Sequence, residues 1–248
     1  MAEEKLVGKT TNPAQKEMVS KRAYLDIQGY GNSKIETITA LAISEKLTKE
    51  QFKQLKKQVK KMYKTYNSLD VSSTKYQDFL SRLYEWAFNN EMFDTYSLGT
   101  ISEFHSLKLT KMLKKLRALL NSYYNCSNSK QNYLLIAPRK KEQNNFKTEV
   151  RGKNRARFKV YSYKNLMNKH FSKTRFFEPK KTDEFYFYWL AKQINIAYSK
   201  VLKYGILDSP DTITNPIVYS AYNAMIPVVL SINVNNVKVF NIDSEVAI

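Results

Sequence analysis

Phe52, Leu55, Val59, Met62, Tyr63 and Tyr66 recur at three- and four-residue steps, and this stripe constrains the fold more than any other stretch. Such spacing puts all six side chains on one face of a helix, which must be buried against something. Thr48 and Gln51 form a capping box that opens the helix. The remaining faces carry Lys49, Lys53, Lys56, Lys57, Lys60, Lys61 and Lys64.

Two further stretches read the same way. Ser73 or Thr74 opens a helix with Tyr76, Phe79, Leu80, Leu83, Tyr84 and Ala87 inward, ended by Asn89 and Asn90. Thr100 and Glu103 box a third, whose stripe runs from Leu109 through Met112, Leu113, Leu116, Leu119 and Leu120 to Tyr123. Upstream, Asn12-Pro13 predicts a first helix reaching Gly29. Ser33 and Glu36 then predict a short helix carrying Ile35, Ile38, Leu41 and Ala42. Amphipathic helices joined by short loops predict an antiparallel bundle over residues 13–130, behind a flexible arm at 1–12.

Beyond the polar joint at 125–132, the pattern changes. Tyr133 to Ala137 is a short apolar strand stopped by Pro138. Phe146 to Val150 and Arg155 to Tyr163 each alternate, and Arg151-Gly-Lys-Asn154 supplies a turn, so the pair reads as a β-hairpin. Ser162 caps a short helix through Asn165, Leu166 and His170. Asp183 starts a long helix closed by Gly205. Val228 to Val234, Asn235-Asn236 and Val237 to Ile242 read as a terminal hairpin. The fold class predicted is therefore α+β and mainly helical: a bundle, then residues 131–248 as a basic ribbon, a helix and a hairpin packed on it as one unit.

Charge bears on function. The chain carries a formal net charge of +19, and residues 139–181 hold fifteen Lys/Arg against three acids. In an extended Arg155 to Tyr163, the residues Arg155, Arg157, Lys159, Tyr161 and Tyr163 share one face. Such a row tracks phosphates while rings stack on bases, which predicts single-strand preference without sequence preference. The nucleic-acid-binding set predicted is Arg139, Lys140, Lys141, Arg151, Lys153, Arg155, Arg157, Lys159, Tyr161, Tyr163, Lys164, Lys169, His170, Lys173 and Arg175. Lys53, Lys56, Lys57, Lys60, Lys61 and Lys64 form a secondary basic helix.

Several chemistries lack their residues. A single Cys126 and two histidines, His105 and His170, leave no zinc spacing and no internal disulfide. No Walker, dinucleotide or Gly-x-Ser-x-Gly pattern occurs. Glu142 and Glu149, or Asp208 and Asp211, are the acids a metal-dependent nuclease would draw on; Asp183 and Glu184 suit a helix start instead. No stretch reaches the roughly eighteen apolar residues of a membrane span, and no signal-peptide pattern opens the chain. The expectation is a protein without cofactor or metal, inside a cell or a particle assembled there, and not membrane-bound. Its expected role is a non-enzymatic, oligomeric assembly component of a nucleic-acid-containing particle: a nucleocapsid, a connector or a ribonucleoprotein subunit. The alternatives are a nuclease-like enzyme and a protein–protein module whose ribbon meets an acidic partner.

Overall fold

Every residue from Ala23 to Ile27 and from Glu36 to Ile43 is buried. A segment with no solvent face suits a strand covered on both sides rather than an amphipathic surface helix. The computed structural model describes residues 20–29, 35–71, 73–101, 105–127, 132–139, 163–178, 182–205 and 237–241. In chain order its elements are β1 (Arg22–Gln28), β2 (Ile35–Ile43), α1 (Lys49–Tyr66), α2 (Thr74–Phe88), β3 (Phe93–Ile101), α3 (His105–Tyr123), β4 (Leu134–Pro138), α4 (Tyr163–His170), β5 (Thr174–Phe177), α5 (Asp183–Gly205) and β6 (Val237–Asn241).

The strands form one mixed sheet in the order β5-β4-β1-β2-β3-β6. β2 is antiparallel to β1 and β3, while the β1–β4, β4–β5 and β3–β6 pairs are parallel. The antiparallel helical bundle is therefore corrected to a three-layer α/β arrangement. Of the two segments expected as helices before residue 43, the described parts are β1 and β2; residues 12–19 and 30–34 lie outside the described residues. β6 lies where the second arm of the terminal hairpin was expected, but it pairs in parallel with β3; residues 228–236 lie outside the described residues. The boundary near residue 130 falls within the sheet, because β4 from the second half pairs with β1 from the first.

Connectivity places the helices. The crossovers from β3 through α3 to β4 and from β4 through α4 to β5 step the same way along the sheet, and that from β5 through α5 to β6 steps back. If all three share one hand, α3 and α4 take one face and α5 the other. The cores agree. Tyr24, Leu41, Ile43, Phe93 and Ile136 pack with α1, α2 and α5, whereas Ala23, Leu25, Ile38, Ala40, Leu98 and Leu135 pack with α3 and α4. No helix among the described residues is long and apolar enough to cross a membrane.

Candidate nucleic-acid interface

β1, β3, β4, β5 and β6 all run the same way, so their carboxyl ends share one edge of the sheet. Ligands of open α/β sheets bind outside that edge. The basic segment leaves from it, directly after Arg139 at the end of β4. Arg139 is exposed, donates its backbone N–H to the Phe177 carbonyl at 2.7 Å and meets Glu178 at 3.4 Å. Lys140, Lys141, Arg151, Lys153, Arg155, Arg157, Lys159 and Tyr161 lie outside the described residues, as do Glu142, Glu149, Asp208 and Asp211.

The chain returns at Tyr163, the first residue of α4. Tyr163, Leu166, Met167 and His170 are its buried face. Tyr163 is 5% exposed and meets Phe176 edge-on, at 6.3 Å between ring centroids. Its expected role as a stacking platform is corrected: the ring is core packing, and its hydroxyl is held protonated by burial and by the charge of Asp26. The same spacing turns Lys164 and Lys169 to solvent, and Lys173 and Arg175 are exposed beyond the helix. Arg175 meets Glu184 at 3.4 Å.

His170 also departs from expectation. It is 3% exposed, and its pKa is lowered to about 4, first by burial and then by Arg117, Lys169 and Lys114. The imidazole is neutral at physiological pH, so it adds no positive charge to a phosphate site. What its depression reports is useful, however: three cations of α3 and α4 act on one buried side chain. Lys114 and Arg117 are absent from the binding set expected from the sequence, because nothing in a single helix says which other helix lies beside it. Arg117 and Lys114 of α3 thus stand with Lys169 of α4 on the face opposite α5, while Lys164 is exposed at the other end of α4.

On the other face, α1 presents its lysines. Lys53, Lys57, Lys60, Lys61 and Lys64 are exposed and Lys56 is half-buried against Asp183 at 2.9 Å. The Lys60 ammonium lies 5.4 Å from the Tyr186 ring centre. Asp183 and Glu184 stand in the first turn of α5 as expected from the helix dipole.

A buried polar array lies between β1, β2, β3 and α5. Asp26 is 1% exposed and accepts from Asn195 Nδ2 at 2.9 Å, from Gln28 Nε2 at 2.6 Å and from the Tyr188 hydroxyl. Thr39 bonds Asn195 Oδ1 at 3.1 Å and Ser97 Oγ at 2.8 Å. A carboxylate under a helix is tolerated when donors of this kind replace its water. No group of three or more His, Cys, Asp or Glu side chains suited to a metal ion occurs among the described residues.

No family model matches the chain, and no curated protein or solved structure shows significant similarity to it.

Proposed function

We propose that this protein is a basic, non-enzymatic assembly component of a nucleic-acid-containing particle, holding the phosphate backbone with little sequence discrimination. The observation that carries this reading is the shared field of Lys114, Arg117 and Lys169 at His170, in a chain whose residues 139–181 carry fifteen basic side chains. Like charges held together repel one another, and phosphates relieve that repulsion while releasing counterions. Lysine ammonium groups are point charges that position a backbone without reading base edges. With Tyr163 in the core, single-strand preference rests on Tyr161 alone.

Salt dependence of oligonucleotide affinity tests the reading. Lys114→Gln, Arg117→Gln and Lys169→Gln together are expected to flatten the log–log salt slope by about two to three, one counterion-release step per phosphate contact. An unchanged slope with unchanged affinity would remove these residues from the interface.

Asp26 favours a second reading, a metal-assisted phosphoryl-transfer enzyme. It is a buried carboxylate that meets no Lys or Arg side chain among the described residues, near the carboxyl edge where the basic segment departs. Such enzymes need converging acids around a divalent ion. Magnesium-dependent cleavage of bound strands that Asp26→Asn abolishes, with binding retained, would favour this reading over the first.

A further inference from the structure

The two lysine-bearing surfaces stand on opposite faces of the sheet. α1 carries seven lysines against one glutamate over 18 residues, a rod about 27 Å long at the usual helical rise of ~1.5 Å per residue. Its apolar stripe is already spent inside the protein. Leu55 and Val59 are fully buried, Phe52 stacks on Phe187 at 5.4 Å, and Tyr66 stacks on Phe79 at 4.1 Å. A membrane-surface helix needs that stripe for the lipid, so what α1 offers outward is charge alone.

Lys56 and Lys60 are tied to Asp183 and Tyr186 of α5. These contacts fix the rotation of the helix, and Lys53, Lys57, Lys61 and Lys64 stay exposed. A cleft of about 470 Å³ opens between the lysines and Asp183. The sheet and both helical layers separate this stripe from Lys114 and Lys169. Two polyanions so placed are screened from each other, because the Debye length at physiological ionic strength is about 8 Å.

We infer that the α1 face holds a second nucleic-acid segment by its phosphates, so that one copy of the chain bridges two segments across its sheet. This rests on the function proposed above. A bridging protein draws strands together, which a single-faced binder does not do without oligomerising.

The test uses the full chain on an immobilised duplex, washed and then offered a second, labelled duplex. The wild-type protein is expected to capture the label. A variant with Lys53→Gln, Lys57→Gln, Lys61→Gln and Lys64→Gln is expected to hold the immobilised duplex within about threefold of wild type, while capture falls about tenfold or more, since each lost phosphate contact weakens binding. Circular dichroism of the variant checks that α1 remains folded.

Undiminished capture by the variant overturns the inference, because oligomers with one surface per copy then explain bridging. Equal loss of both bindings overturns it too, since the two surfaces would be one. Normal binding of the first duplex with no capture by the wild type overturns the inference alone. No binding of the first duplex, nor of a single strand of the same length, overturns the proposed function with it. Vesicles of anionic lipid that bind the wild type but not the variant, with duplex capture unaltered, would assign α1 to a membrane instead.

Discussion

α1 and α3 are written in the same manner, with an apolar stripe, lysines on the remaining faces and similar lengths of 18 and 19 residues. They nevertheless bury their stripes differently. α3 rests on β2 and β3 through Leu109, Met112, Leu113, Leu116 and Leu120, all aliphatic or thioether side chains. α1 packs chiefly on α5, and the contact is aromatic: Tyr63 meets Phe185, Tyr186 and Trp189 edge-on, at 5.2 to 5.4 Å. Short branched side chains fill the close approach of a helix to a sheet. Rings reach between two helices and prefer edge-on or offset geometry. Periodicity therefore tells that a helix has a buried face, and residue size begins to tell what that face meets.

Removing the central ring should break the comparison most visibly. Phe187 is fully buried, stacked on Tyr24 of β1 at 5.0 Å and on Phe52 of α1. Phe187→Ala is expected to cost about 3 to 5 kcal/mol, and Leu116→Ala, in the other layer, about 2 to 5 kcal/mol. Native-state hydrogen exchange should separate them: the first substitution exposes amides of α1, the second those of α3. Wild-type protection of α1 in Phe187→Ala would show that the rings do not hold it.

The polar array sharpens the contrast within one face of the sheet. Asn195→Ala leaves Asp26, Thr39 and the Thr37 carbonyl with fewer partners, at an expected cost of about 1 to 3 kcal/mol by denaturant unfolding. Asn195→Asp sets a second carboxylate against Asp26, and like charges there favour proton uptake by the pair. Its deficit relative to wild type should shrink as pH falls through the carboxylate range. A deficit independent of pH would mean that the two side chains do not meet.

A smaller effect belongs to the start of α1. Thr48 Oγ1 accepts the Gln51 N–H at 3.2 Å and Gln51 Oε1 accepts the Thr48 N–H at 2.9 Å. Thr48→Ala should cost about 1 kcal/mol. A cost indistinguishable from zero in thermal unfolding would place the box in solvent competition.

The helices were legible where caps and one-sided burial coincide. α1 begins after Thr48, Ser73 Oγ accepts the Tyr76 N–H at 3.2 Å before α2, and Thr182, one residue ahead of the expected Asp183, accepts the Phe185 N–H at 3.3 Å. β1 and β2 were not legible, for a physical reason. A strand buried on both faces has no period, and Ile35, Ile38, Leu41 and Ala42 match a helix by chance of spacing. In β3, Thr95 and Ser97 look like a solvent face, yet Asn195 and its neighbours bury that side. The charge of the candidate interface was plain from composition, but its placement was not, because it depends on α3 and α4 meeting across a crossover. The burial of Tyr163 and His170 did have a signal: Tyr163, Leu166, Met167 and His170 stand at steps of three, four and seven. It was obscured by the alternating run from Arg155 that ends on the same tyrosine.

The titration of His170 tests the central claim, that polyanions lie against the α3 and α4 cations. The lowered pKa of about 4 keeps the imidazole neutral in the folded state while an unfolded histidine takes up a proton near 6.5, so His170 lowers stability as pH falls from about 6.5 to 4. Phosphates beside Lys114, Arg117 and Lys169 oppose the part of that depression due to those charges. An NMR titration of the imidazole with a saturating short oligonucleotide should therefore show the pKa raised toward the ordinary value. An unchanged His170 pKa with the oligonucleotide bound, or no binding at all, would contradict the account.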